Sequence, residues 1–82
     1  MFEAKIDVAL KKTVADPQGL AVKHALDSLS YAGVEEVRVG KVITIKLDVS
    51  NPEDARARVD DMCGKLLTNP IIEDYTFRIR EA

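Results

Sequence analysis

An α+β fold built on an antiparallel sheet is what this 82-residue sequence predicts. Three observations carry the prediction. Stretches at the start, middle and end of the chain alternate apolar and polar residues, which is the period of a half-buried strand. Two stretches between them repeat apolar residues at helical spacing. Each helical stretch follows an Asx-Pro pair, Asp16-Pro17 and Asn51-Pro52.

Phe2, Ala4, Ile6, Val8 and Leu10 alternate with Glu3, Lys5, Asp7 and Ala9 and predict the first strand. Asp16 then offers a carboxylate to the free N–H groups of a helix start, and Pro17 suits the first helical position because it has no N–H to lose. Val22, Ala25, Leu26, Leu29 and Ala32 share one face, and Gly33 supplies a left-handed stop. The first helix is therefore expected over about Pro17–Ala32. Val37 and Val39 alternate next, followed by Ile43, Ile45, Leu47 and Val49. Gly40-Lys41 between them reads as a hairpin turn. The apolar set stays on one face only with a three-residue loop or a bulge at Gly40. A single long strand bent at Gly40 is the other arrangement; the hairpin is preferred.

Asn51-Pro52 opens the second helix, with Ala55, Val59, Met62, Cys63, Leu66 and Leu67 on its apolar side. Asp61 and Lys65 stand one acid-first helical turn apart, and Asn69-Pro70 ends the helix. Tyr75, Phe77 and Ile79 alternate with Thr76, Arg78 and Arg80 as a last strand. The order βαββαβ is the ferredoxin-like pattern: a four-stranded antiparallel sheet with two helices on one face, in a single domain over residues 1–82. The other face is then lined by Glu3, Lys5, Asp7, Arg38, Thr44, Lys46, Asp48, Thr76, Arg78 and Arg80. Its signs are mixed, so self-association is expected through polar or edge-to-edge contacts rather than a greasy sheet face.

Composition narrows the function. The hydrophobic fraction is 46% and the charged fraction 32%, which suits a folded domain. Net charge is -2 with no basic stripe, which argues against nucleic acid. Phe2 and Phe77 fall in the inward phase, so the exposed aromatics of RNA-binding versions of the fold are missing. No apolar run reaches membrane-spanning length and no secretory signal is read; with one reduced cysteine, this points to the cytoplasm. A single cysteine excludes an internal disulfide, and a single histidine disfavours a His/Cys metal cluster. A domain this small is marginal alone, which leaves oligomerisation or a partner as the extra source of stability.

The candidate chemistry is thin. His24 lies one residue off the apolar stripe, with no serine or cysteine placed for it to activate, so a surface or boundary histidine is the better reading. Cys63 lies on the apolar face of its helix and reads as core. No carboxylates fall at metal-loop or paired acid/base spacing. Lys11-Lys12 precede a helix start and could hold an anion, but no glycine-rich phosphate loop accompanies them and Asp16 would repel one. Arg38 and Lys41 put two cations around a turn whose glycine alone is explained. Ile71 and Ile72 are adjacent, so in an extended segment they face opposite sides, one toward the core and the other toward a partner; a buried loop would also explain them.

In this order and at this length, Asp16-Pro17-Gln18-Gly19 with His24-Ala25-Leu26, Val37-Arg38-Val39-Gly40-Lys41, Met62-Cys63-Gly64-Lys65-Leu66-Leu67 and Asn69-Pro70-Ile71-Ile72-Glu73-Asp74-Tyr75 resemble the PurS family. PurS is the small subunit of phosphoribosylformylglycinamidine synthase. The resemblance implies a bridging subunit between a glutaminase subunit and a large ATP-dependent synthetase subunit, supporting assembly and ammonia transfer in purine biosynthesis. It implies a homodimer, or a tetramer built from it. It implies that ATP and Mg are used by the complex, that this chain binds no cofactor, and that the chain alone is inactive. Lys11, Gln18, Arg38 and Lys41 are the expected partner contacts. Two other readings share the element order. One is an amino-acid-sensing regulatory domain that would bind ligand near Asp16–Gly19. The other is an acylphosphatase-like enzyme, which would need an arginine in the first loop where this chain has Lys11 and Lys12.

Overall fold

A computed structural model describes residues 1–82. Five regular elements and one wide turn follow in order: β1 (Phe2–Leu10), α1 (Pro17–Ser28), β2 (Gly40–Leu47), α2 (Pro52–Met62), a π-helical turn (Cys63–Leu67) and β3 (Glu73–Glu81). The sheet has three strands in the order β2-β1-β3, both pairs antiparallel. The α+β class and the antiparallel sheet are as expected. The four-stranded, ferredoxin-like detail is not: Val37 and Val39 form no strand, and Gly40-Lys41 is no hairpin turn. Gly40 instead starts β2, directly opposite Ala9.

β1 is the central strand, and its alternation places Ala4, Ile6 and Val8 inward, each at most 2% exposed. The registers continue that face on either side. Ile6 sits between Ile43 and Phe77, and Ala4 between Ile45 and Ile79. α2 and the turn after it lie over β1 and β3 and cover that part of the face with Ala55, Val59 and Cys63, leaving Ile43 and Ile45 half-buried. Burying one such aliphatic side chain contributes about 1.5–3 kcal/mol, so these few residues carry the fold. On the opposite face Glu3 pairs with Arg80 at 2.7 Å. Arg38, expected there, lies elsewhere.

Asn51 caps α2, its Oδ1 accepting the Asp54 N–H at 2.8 Å, and Asp61 and Lys65 pair at 3.2 Å as the spacing predicts. Beyond Met62 the backbone widens, and the Thr68 N–H and hydroxyl both donate to the Cys63 carbonyl, at 3.1 and 2.8 Å. The wider turn breaks the helical period, so Leu66, expected on the apolar side, is 82% exposed. α1 stops at Ser28, four residues earlier than expected. Ser30 takes the left-handed conformation at φ 66°. The Tyr31 N–H donates to the Leu26 carbonyl and the Ser30 N–H to the Asp27 carbonyl, which is a Schellman stop. Gly33, the expected stop, is left-handed as well (φ 87°) but lies beyond the helix.

Only α2 packs on the sheet in this way. α1 and its flanking segments leave β1 at Leu10 and return at Gly40, beside Ala9, so residues 11–39 form an arm at one end of the sheet. The molecule measures 51 × 27 × 14 Å with a radius of gyration of 16.3 Å. A compact chain of this length would have about 12 Å. The expectation that both helices cover one face of the chain's own sheet therefore fails for α1.

Candidate functional site

The foot of this arm gathers three of the sequence segments singled out above: 11–19, 37–41 and 69–75. Asp16 is the centre. It caps α1 as its position predicts, Oδ1 accepting the Gly19 N–H at 2.9 Å. Its other oxygen accepts the Val39 N–H at 2.7 Å and ties the start of the arm to its end. The residue is nearly buried. The Val39 N–H, then the Gly19 N–H, hold its carboxyl below the ordinary range; burial opposes them, and Arg38 and the Gln18 N–H add to them.

Arg38 works on the same closure. Its Nη2 donates to the carbonyls of Lys11 at 2.9 Å and Val14 at 3.0 Å, groups that a loop leaves without ladder partners. Two glycines make the approach possible. A Cβ on Gly19 would stand 2.1 Å from the Val37 carbonyl oxygen, and one on Gly40 would stand 2.6 Å from that of Val8. This is why the 37–39 segment is not a strand: its polar groups serve the arm.

The third segment closes the other side. The Lys11 N–H donates to the Ile72 carbonyl at 2.8 Å, and its ammonium pairs with Asp74 at 2.8 Å. Lys41 reaches to within 3.8 Å of Glu73, whose other oxygen accepts the Asn69 N–H at 2.7 Å. Ile71 and Ile72 both remain exposed beside this network, so neither packs in the core.

The four expected contact residues thus lie at one end of the molecule, in two different states. Lys11 and Arg38 are engaged within the chain. Gln18 is exposed with no side-chain hydrogen bond to the chain, and the Lys41 side chain is more than half exposed. A shallow depression runs between Leu10, Pro17, Gln18, Val39 and Lys41. The Asp16–Gly19 loop, considered above as a ligand or anion site, is filled by its own carboxylate with both oxygens engaged.

Elsewhere, His24 is exposed on α1, and Cys63 is buried. Burial, then the Asp60 charge, pushes the Cys63 thiol above its ordinary value, opposite to what a nucleophile needs. The Tyr75 hydroxyl donates to Asp60 at 2.6 Å, and this bond above all pushes its phenol up to about 12. Sequence reasoning missed that pair and the second bond of Asp16, because both join residues with no shared period. No group of His, Cys, Asp and Glu side chains is arranged to hold a metal ion, and no helix is long and apolar enough to cross a membrane.

Comparison with known proteins agrees with this geometry. A family model described as PurS, phosphoribosylformylglycinamidine (FGAM) synthase, matches residues 3–81. The chain is 44% identical to the phosphoribosylformylglycinamidine synthase subunit PurS of Bacillus subtilis over 99% of this chain and 95% of that one. It superposes on the Methanocaldococcus jannaschii PurS structure with a TM-score of 0.90 at 36% identity, covering 100% of this chain and 99% of the other. It also superposes on a chain of the Thermotoga maritima PurLQS structure with a TM-score of 0.87 at 33% identity, covering 96% of each. The chain belongs to the PurS family, the small subunit of phosphoribosylformylglycinamidine synthase in purine biosynthesis.

Proposed function

We propose that this chain is a non-catalytic bridging subunit. It holds a glutaminase subunit and a large synthetase subunit together while ammonia passes from one to the other. The observation that carries the reading is the near full-length likeness to a chain of the PurLQS assembly of Thermotoga maritima. In this reading the complex acts in the cytoplasm and uses ATP and Mg, neither of them bound by this chain, and the chain enters the complex as a homodimer. The exposed side chains of Gln18 and Lys41 at the arm end are its partner contacts, while Lys11 and Arg38 act by shaping that end.

The test is size-exclusion chromatography with mass detection, on the chain alone and then with both partner subunits, glutamine and Mg-ADP. Bridging predicts one species that contains all three subunits and falls apart when this chain is omitted. Partners that associate equally well without it would sink the proposal. Lys41→Ala should weaken association by an exposed-charge amount, up to about fivefold, with an unchanged circular dichroism spectrum. Full affinity in a Gln18→Ala/Lys41→Ala variant would remove these two as contacts and leave the bridging role standing.

A further inference from the structure

We propose that the outer face of the sheet, opposite α2, is a docking surface for a carboxylate-rich segment of one of the two partner subunits. The proposal rests on the bridging reading above and adds a contact region to it. A chain that joins two different subunits needs two surfaces, and Gln18 and Lys41 at the arm end supply one. The strand registers assemble the other. Lys5 stands between Thr44 and Arg78, and Glu3, two residues along β1, stands between Lys46 and Arg80. From the spacing of strands and the rise along them, Lys5, Lys46, Arg78 and Arg80 share a patch about 10 Å wide and about 7 Å long. Only strand pairing brings these cations together, which is why no basic stripe shows along a chain whose net charge is -2. The mixed signs expected for this face are not mixed here. Glu3 is the one carboxylate inside the patch, and Arg80 Nε and Nη2 both donate to its Oε1, at 3.0 and 2.7 Å.

Lys5, Lys46 and Arg78 make no ion pair within the chain. Lys5 and Arg78 are also directly opposite each other on neighbouring strands, and like charges so placed weaken a sheet. Nothing in the chain offsets that cost. A carboxylate from outside would, by accepting from the unused fork of Arg78 and from the Lys5 ammonium together. A depression between Glu3, Lys5, Arg78 and Arg80 is open to receive it. The chemistry of the partner follows from the limits of the patch. Asp7 follows Lys5 on the same side of β1, and Asp48 lies just beyond the end of β2. A nucleic-acid strand runs on past the cations and meets these carboxylates, on a chain that is already net negative. A protein segment can place its acids where the patch lies and nowhere else. A free phosphate or a nucleotide needs walls around it, whereas all four cations are exposed on an open sheet. Charge complementarity on a flat face therefore selects an acidic protein surface.

The test compares Arg78→Glu with Arg56→Glu, an equal change of charge at another exposed cation without an ion pair, on α2. Dissociation constants for each purified partner subunit are measured over a salt series. The expected result is a constant for one subunit raised about tenfold by Arg78→Glu, an exposed attraction being lost and a repulsion gained, and left nearly unchanged by Arg56→Glu. Wild-type affinity for that subunit should fall as salt rises, and fall less steeply in Arg78→Glu. Tm should hold or rise in Arg78→Glu, because the variant sets an acid opposite Lys5; a residue kept for the fold would lose stability together with binding. Equal constants for the two variants with both subunits overturn the docking surface and leave the bridging role. A wild-type chain that binds neither subunit overturns both. The isolated chain is also titrated with inorganic phosphate and with a single-stranded oligonucleotide. Micromolar binding of either that Arg78→Glu abolishes gives the face to that ligand and overturns the proposal, as does a homodimer that dissociates in Arg78→Glu.

Discussion

Gly19 offers a test of the arm's foot in which two principles predict opposite signs. Gly19 is the third residue of α1, and its φ is not in the left-handed region. Helix propensity alone says that Gly19→Ala should stabilise the chain by about 1 kcal/mol. The structure says otherwise. The added methyl would stand 2.1 Å from the Val37 carbonyl oxygen, 2.9 Å from Asp16 Oδ2 and 3.0 Å from the Val37 carbonyl carbon. Relief requires the Val37 backbone to retreat by about 1 Å, whereas overpacking by one methyl already costs about 1–3 kcal/mol. The retreat is resisted because Arg38 and Val39, the next two residues, are each hydrogen-bonded across the arm. Gly64 is the internal control: in the π-helical turn, a Cβ there meets nothing within 4 Å. At 82 residues, 1 kcal/mol moves Tm by about 4–8 °C. Gly19→Ala should therefore lower Tm by roughly 4–15 °C, and Gly64→Ala should raise it by roughly 3–7 °C. The assay is thermal unfolding by circular dichroism at one fixed protein concentration, because association shifts the apparent Tm. If both variants rise together, the close approach of Val37 to α1 is wrong and the arm's orientation is wrong with it.

Three further outcomes follow from single residues. Ser30→Gly should stabilise by about 0.5–1 kcal/mol in urea unfolding, since Ser30 is held at φ 66° where glycine carries no steric penalty; a loss of stability would mean that the Ser30 side chain has a role of its own. Asp16 has a folded value below its ordinary 3.8, so its stabilisation is present above the unfolded value and is lost as pH falls through the folded one. Amide exchange at Val39, corrected for intrinsic rate, should lose protection on that acid limb in the wild type and show no such acid step in Asp16→Asn; equal protection at pH 6 and pH 3 in the wild type would refute the latch. For Tyr75 the sign is reversed: its phenol is raised to about 12, so its contribution is complete below the unfolded value near 10.0 and disappears as pH climbs toward the folded one. An absorbance titration should show a tyrosinate step near 12 that Tyr75→Phe removes, and persistence of that step in the variant would assign it elsewhere.

The residues that were readable in advance are those whose role is local. The inward phase of β1 and β3 follows from strict alternation, and the two helix starts follow from Asp16-Pro17 and Asn51-Pro52, because capping acts within three residues. The errors have a common cause. Val37 and Val39 alternate like a strand, yet the Val39 N–H is taken by a carboxylate 23 residues away. A side chain that captures a distant backbone group leaves no period to find. Gly40 looked like a turn glycine because Gly40-Lys41 stands between two alternating apolar stretches, whereas its requirement is room beside the Val8 carbonyl. Ser30 hid the stop of α1 because serine rarely adopts the left-handed region, and Gly33 nearby was the stronger candidate. Leu66 kept its helical spacing on paper, but the π-helical turn changes the angle per residue.

The same distant bonds explain why exposed residues and internally bonded residues are interleaved in the motifs. Only 10 of 82 residues are buried, so this chain has little core with which to hold an extended arm. The arm is held instead by backbone carbonyls and N–H groups that Asp16 and Arg38 satisfy from its two ends. Ordering the arm before it meets a partner removes much of the conformational cost that a flexible arm would bear on binding. On the proposed assignment, Gln18 and Lys41 inherit fixed positions from neighbours engaged within the chain, Gln18 from Asp16 and Gly19, Lys41 from Arg38 and Gly40. Loosening the foot should therefore weaken association even when every contacting side chain is intact, and its signature differs from the loss of a contact. A foot variant such as Gly19→Ala should lose arm protection in the free chain before any partner is added, whereas Lys41→Ala should not.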